Sequence, residues 1–298
     1  MTPFQTILYP VDFSEAAAAM APYVREMAQR FNAGVIVLHA CDLLRDYVFP
    51  PGAQDYDAIP YTPALSQLRK EREKRLREFA GAHFASVRHA VRLEDGEPAS
   101  VIEWVARRES VGLVAMSTRG YGKFRRLLVG SVTLKVLHDL TCPVLTGAHD
   151  PGPSGAPGAG FHSIVCAVEF SREAEAVIDV AIHLAEAYGA RLCLLHMQSS
   201  SRREGGQESI ESLRRKFQEV ALRQAIPAHV AKAAIQPKVC VLDDGVPEGV
   251  RLESIAEGAD LVVTGRGLER GNLSRVWSQL YAIIRESPCP VLSVCAVE

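Results

Sequence analysis

The sequence predicts an α/β protein made of two consecutive copies of one parallel-sheet domain, and three observations carry that prediction. The length of 298 residues is about twice that of an ordinary domain. The block Ile7-Leu8-Tyr9-Pro10-Val11-Asp12-Phe13-Ser14 recurs as Ile164-Val165-Cys166-Ala167-Val168-Glu169-Phe170-Ser171, and Cys142-Pro143-Val144-Leu145 recurs as Cys289-Pro290-Val291-Leu292. Within each copy, short apolar β-rich runs alternate with longer amphipathic segments, which is the pattern of βαβ units on a parallel sheet.

In the first copy strands are expected at 5–11, 35–40, 87–93, 111–117 and 143–147. The helices between them have recognisable starts. Ser14 is a helix cap, Pro63 and Pro98 suit first-turn positions, and Gly130-Ser131 opens the last helix. The helix from Pro63 to about His83 sets Leu65, Leu68, Leu76 and Phe79 among charges, so it should lie half-exposed on the surface. In the second copy Ile210, Leu213, Phe217 and Val220 fall at spacings of three and four and predict the equivalent packing face. Leu113-Val114-Ala115-Met116 and Leu261-Val262-Val263 are apolar throughout, as expected of central strands covered on both faces. Pro and Gly crowd residues 149–160 and suit neither helix nor strand, which makes them a linker between domains at 1–148 and 161–298. Strand pairing between Pro143-Val144-Leu145 and Pro290-Val291-Leu292 is the expected junction of the halves, across a pseudo-twofold axis.

Composition removes several classes of function. Hydrophobic residues at 48% and charged residues at 23% describe an ordinary globular chain. A formal net charge of −2 lacks the basic excess that releases counterions from a nucleic acid, so no nucleic-acid partner is expected. Neither a bilayer-length apolar run nor a leader pattern is found, and the expected location is the cytoplasm, without membrane contact. The seven cysteines are dispersed, mostly in apolar segments, and without a Cys-x-x-Cys pair, which suits reduced core thiols.

An open parallel sheet binds ligands beyond the carboxyl ends of its strands. Those ends are Pro10-Val11-Asp12, His39-Ala40 and Ser117-Thr118-Arg119-Gly120. Nine residues separate Gly120 from Gly130-Ser131, where a helix begins. A glycine loop followed by a helix N-terminus supplies unpaired backbone N–H groups and a favourable dipole, which together suit phosphate oxygens. The stretch matches neither a Walker A loop nor a three-glycine dinucleotide fingerprint.

These residues make the chain similar to the universal stress proteins, whose ATP-binding members carry Gly-x2-Gly-x9-Gly-Ser/Thr after the fourth strand. Here Ser117 stands in place of the first glycine, and Gly120, Gly130 and Ser131 follow in register. Tyr9-Pro10-Val11-Asp12-Phe13-Ser14, the strand ending in His39, Asp95-Gly96-Glu97-Pro98 and Cys142-Pro143-Val144-Leu145 complete the resemblance in order. It implies tandem Rossmann-like domains, related to the adenine nucleotide alpha hydrolases, each with a five-stranded mainly parallel sheet. It further implies that Asp12 meets the ribose or adenine end of ATP and that Pro10, Ala40 and Met116 line the base pocket. Ser117, Arg119, Gly120, Gly130, Ser131 and Val132 would hold the phosphates, with magnesium arriving on the nucleotide rather than in a protein cage. Homodimers are a further expectation of the resemblance, alongside an unidentified protein partner.

The second copy departs at these positions. Glu169 replaces the aspartate, and Trp277-Ser278 stands where Gly130-Ser131 stood, so an indole is expected to block phosphate there. Thr264, Gly265 and Arg266 have a loop-like character. One nucleotide site, in the first copy, is therefore expected. His39 and His196 suit structural roles at strand ends. Without a general base beside the loop or paired carboxylates, a nucleotide-binding regulator in a stress response leads over a slow ATPase or adenylyl-transfer enzyme. A scaffold without nucleotide is the third class.

Overall fold

The computed structural model describes residues 4–41, 63–118, 129–148, 160–169, 174–197, 216, 218–224, 236–242, 245–266 and 273–295. The first half runs β1 (Thr6–Pro10), α1 (Glu15–Arg30), β2 (Gly34–Cys41), α2 (Pro63–Phe84), β3 (His89–Asp95), α3 (Pro98–Arg108), β4 (Leu113–Met116), α4 (Ser131–Asp139) and β5 (Val144–Thr146). The second half repeats it with β6 (Ser163–Ala167), α5 (Ala174–Tyr188), β7 (Arg191–Met197), β8 (Lys238–Leu242), α6 (Val246–Ala256), β9 (Leu261–Arg266), α7 (Leu273–Glu286) and β10 (Val291–Cys295). Ser14 caps α1 by accepting the N–H of Ala17 at 3.1 Å. Glu97, rather than a Ser or Thr, caps α3.

All ten strands form one sheet in the order β3-β2-β1-β4-β5-β10-β9-β6-β7-β8. Pairing is parallel within each half, and β5 meets β10 antiparallel with Thr146 opposite Val291 and Val144 opposite Ser293. That reversal joins the halves about a pseudo-twofold axis. β4 and β9 are interior strands, buried as their apolar sequences require.

Each face of the sheet carries a core that continues across the junction. On one face α1, α2 and α5 bury Met20, Val24, Met27, Leu76, Phe84, Ile178 and Leu184 against alternate sheet residues such as Ile7, Leu113, Ala115 and Val263. On the other, α3, α4, α6 and α7 bury Ile102, Val105, Leu137, Val250 and Ile284 against Leu8, Val114 and Val262. Successive strand residues point to opposite faces, so each strand feeds both cores. Aromatic rings close the junction between α1 and the second half: Tyr23 stacks on Phe161 at 6.3 Å, and Phe31 meets Tyr188 edge-on at 6.1 Å.

Two sequence expectations need correction here. Residues 218–224 are helical, but Val220 is 51% exposed and Leu222 is buried, so Val220 is not on the packing face there. Ile210, Leu213 and Phe217 lie outside the described residues, or have side chains that do. Thr264, Gly265 and Arg266 are not a loop; they end β9 in register with Ser293, Val294 and Cys295, and Arg266 is 2% exposed. The linker at 149–159 lies outside the described residues.

Candidate functional site

Strand order changes direction between β1 and β4, because the chain winds outward through β2 and β3 on one side and through β5 on the other. The crevice beyond these two strand ends is where such a sheet accepts a ligand. Asp12 follows β1 and Ser117 follows β4, so the two sit on opposite sides of it.

The β1 side is tightly organised. Asp12 Oδ1 accepts the N–H of Ser14 at 3.0 Å, an Asx turn that holds the carboxylate at the strand end and starts α1. Phe13 takes a left-handed conformation, φ 61°, and packs on His39 at 4.4 Å with the Arg75 guanidinium 4.5 Å from its ring. A positive φ in an aromatic residue is costly, and the surrounding rings hold it in place. His39 Nδ1–H donates to the carbonyl of Val11 at 2.7 Å, and His196 repeats the bond to Val168 at 2.9 Å. Both histidines tie a second strand to the turn after the first.

On the β4 side the strand end is tied to the start of α4. Gly130 N–H donates to the Thr118 carbonyl at 3.0 Å, and Thr133 Oγ1 donates to the Ser117 carbonyl at 3.1 Å. Ser131 is exposed and Val132 half-buried in the first turn of α4. Gly130 is the N-cap at φ −60° and ψ 144°, a conformation open to any residue. Among the described residues, a Cβ placed on it would meet nothing nearer than 3.7 Å. Packing against the described residues therefore makes no demand for glycine at 130, whose lack of a side chain leaves the first-turn N–H groups of α4 without a cap from that position.

The remaining expected contacts divide. Pro10 and Ala40 are half-buried at the ends of β1 and β2. Met116 is 5% exposed and packs in the core with α3 and α4, so it presents little surface to the crevice. Arg119 and Gly120 fall outside the described residues.

At the equivalent place in the second half the local structure differs in where the helix starts. Registering Cys289-Pro290 on Cys142-Pro143 sets Ser278 on Ser131, yet α7 begins at Leu273 while α4 begins at Ser131. Ser278 is thus inside a helix, and its N–H is spent on an intrahelical bond. In this register the helix of the second half begins more than a turn earlier than α4, and the Trp277 side chain lies outside the described residues. Glu169 is exposed at the end of β6.

Two contacts from the second half that the sequence reading missed reach this region. Tyr281 of α7 accepts the N–H of Val129 at 3.2 Å, beside the N-cap of α4. Arg266 donates to the carbonyls of Leu137 and Cys142 and so caps the C-terminal end of α4. Burial lowers the Arg266 pKa from its ordinary value. The only sequence signal was a cation at the end of an apolar strand.

The model of the universal stress protein family matches residues 3–146 and again 160–294. The chain belongs to the universal stress protein family. A universal stress protein of Thermus aquaticus, encoded in the QAH/OAS sulfhydrylase 3' region, is 34% identical over 142 residues, covering 48% of this chain and 97% of that one. Another, from Methanocaldococcus jannaschii, is 28% identical over 142 residues, covering 48% of this chain and 81% of its own. Among solved structures, a universal stress protein of Archaeoglobus fulgidus overlays 97% of this chain and 95% of its own with a TM-score of 0.65 at 20% identity. A second, from Pseudomonas aeruginosa, overlays 98% of this chain and 94% of its own with a TM-score of 0.63 at 15% identity. At these identities the structures speak for the tandem universal stress protein fold. No helix among the described residues is long and apolar enough to cross a membrane.

Proposed function

We propose that this universal stress protein is an adenine-nucleotide-binding regulator with one ATP site, in its first half, and that its second half is a scaffold. The observation that carries the proposal is the difference in helix start: α4 begins at Ser131, at the strand crevice, while its counterpart α7 begins a turn earlier at Leu273. An open helix N-terminus at a switch point offers N–H groups and a positive dipole end to phosphate. Gly130 supports the reading, since nothing in its packing against the described residues requires a glycine, whereas close approach of a ligand to the backbone favours one.

In this reading Asp12 binds the ribose or adenine end between Pro10 and Ala40, and Ser117, Gly130, Ser131 and Val132 meet the phosphates, together with Arg119 and Gly120. Magnesium comes with the nucleotide, held by its phosphates. Slow hydrolysis is the most the site is expected to do, and the occupied state alters association with a protein partner in the cytoplasm.

Calorimetric titration with ATP and magnesium tests this, using the intact chain and Gly130→Trp. One equivalent bound by the first and none by the second, with both showing the same thermal unfolding, is the expected result. A wild-type chain that releases no heat with ATP, ADP or AMP overturns the assignment and leaves the scaffold reading.

A further inference from the structure

Outside the crevice, the far edge of the second half brings together two sulfurs and a carboxylate that the sequence keeps well apart. Cys193 lies on β7, Cys240 on the edge strand β8 and Glu253 on α6, and their ligating atoms all lie within 4.8 Å of one another. We propose that Cys193, Cys240 and Glu253 form a binding site for a thiophilic divalent d10 cation, with Zn²⁺ as its occupant.

The spacing is that of a coordination shell. Zinc bonds of about 2.3 Å to sulfur and about 2.1 Å to oxygen place neighbouring tetrahedral ligands roughly 3.6 Å apart. Cys193 Sγ is 3.8 Å from Glu253 Oε1, so a modest contraction of the third partner closes the set. Core packing explains two apolar thiols. Packing alone does not place a carboxylate, its side chain 12% exposed and paired with Lys238, against a sulfur whose residue is 3% exposed. Cys240 is half-buried, which leaves a route for the ion and a fourth position for water.

Two thiolates and Glu253 around a dication sum to −1, and Lys238 Nζ, which is shared with Glu257, stands 3.3 Å from Glu253 Oε1 as a nearby countercharge. Without metal, burial pushes both thiols above their ordinary pKa, so they are held protonated and Lys238 neutralises the carboxylate. Metal binding expels both thiol protons and keeps the ammonium as the outer countercharge. A disulfide fits less well. Cys193 is in register with Lys238, and Cys240 is two residues further along β8. Diagonal neighbours in a sheet are about 7–8 Å apart, beyond the span a disulfide bridges without backbone movement.

The test is titration of the reduced, full-length protein with Cd²⁺, read by the ultraviolet thiolate-to-metal charge-transfer band, with Zn²⁺ as competitor. The wild type is expected to bind one equivalent and to melt at a higher temperature with Zn²⁺. Cys240→Ser abolishes the band, and Glu253→Gln weakens affinity by at least about tenfold. Cys193→Ser carries a folding risk because the residue is buried; Cys240 and Glu253 are more exposed, and their metal-free melting curves serve as controls. A band of equal intensity in wild type and Cys240→Ser would assign the signal to the other thiols and overturn the site. So would a reduced wild type that binds no Cd²⁺.

Discussion

Tyr281 and Val129 are joined by a 3.2 Å hydrogen bond that runs from the backbone of the first half to a phenol of the second. Val129 directly precedes the Gly130 N-cap, so α7 supports the end of the segment that leads into α4. If the phosphates rest on that helix start, Tyr281 is a positioning residue for them. Tyr281→Phe keeps the ring and removes one neutral hydrogen bond, about 0.5–1.5 kcal/mol. Nucleotide affinity should fall by at most roughly tenfold, and the loss of stability should be no larger than that of one hydrogen bond. Equal affinities in calorimetry would show that the bond has no part in binding.

Arg266 carries a prediction about stability instead. Its guanidinium is buried and satisfies the Leu137 and Cys142 carbonyls, and Nε has no partner among the described residues. Arg266→Met preserves the stem's packing and strands two carbonyls. Leaving a buried acceptor unpaired costs about 1–3 kcal/mol, so the variant should lose about 3 kcal/mol in urea unfolding with an unchanged slope. A loss under about 0.5 kcal/mol would mean that water replaces the guanidinium at no cost.

Glu97 links α3 to α4 and gives the fold an acid-sensitive joint. Its carboxylate accepts from Ser100 Oγ at 2.7 Å, from the N–H groups of Ser100 and Ala99, and from Lys135 Nζ at 3.1 Å. The Ser100 hydroxyl first, then these other donors, lower its pKa from 4.5 to about 2. A carboxylate with a lowered folded pKa adds stability above its unfolded value and loses it as pH falls, here between 4.5 and about 2. The group is half-exposed and solvent screens its pair, so the expected loss in Glu97→Ala at neutral pH is that of a helix cap, about 1 kcal/mol. The variant and wild-type stability curves should converge across that acid window. Parallel curves would remove Glu97 as the cause.

The predicted strands and the first-half helices lay near the surface of the sequence because each depends on neighbours. Apolar runs such as Leu113-Val114-Ala115-Met116, the Ser14 cap and Pro98 are local signals, and the strands and helices stand within a few residues of where they point. The pair of Arg266 with Leu137 spans 129 residues, and no local pattern announces it. The same holds for the Cys193, Cys240 and Glu253 cluster, whose members reach each other only through the β7–β8 register and the fold-back of α6. The early start of α7 is a different kind of miss. Matching Trp277 to Gly130 compares positions, while the role proposed for Gly130 depends on where a helix begins; Gly271-Asn272 before Leu273 is the sequence signal for the earlier start.

The junction itself predicts how half of the chain behaves alone. At the antiparallel seam Thr146 Oγ1 donates to the Val291 carbonyl and Ser293 Oγ donates to the Val144 carbonyl, both at 3.2 Å, so the two strands bind each other by the same device. Val144, Leu145 and Thr146 are fully buried. Residues 1–148 expressed alone would expose that strand as a flat, apolar edge with unpaired backbone groups, a template for another strand. A second copy of β5 offers the same antiparallel partner with Thr146 in both strands, and the isologous arrangement closes as a dimer. The fragment should therefore elute and scatter light as a concentration-dependent dimer, while Leu145→Lys shifts it to monomer or aggregate. A stable monomer at high micromolar concentration would show that β5 needs the second half for more than its edge, with the Arg266 cap on α4 the first contact to restore.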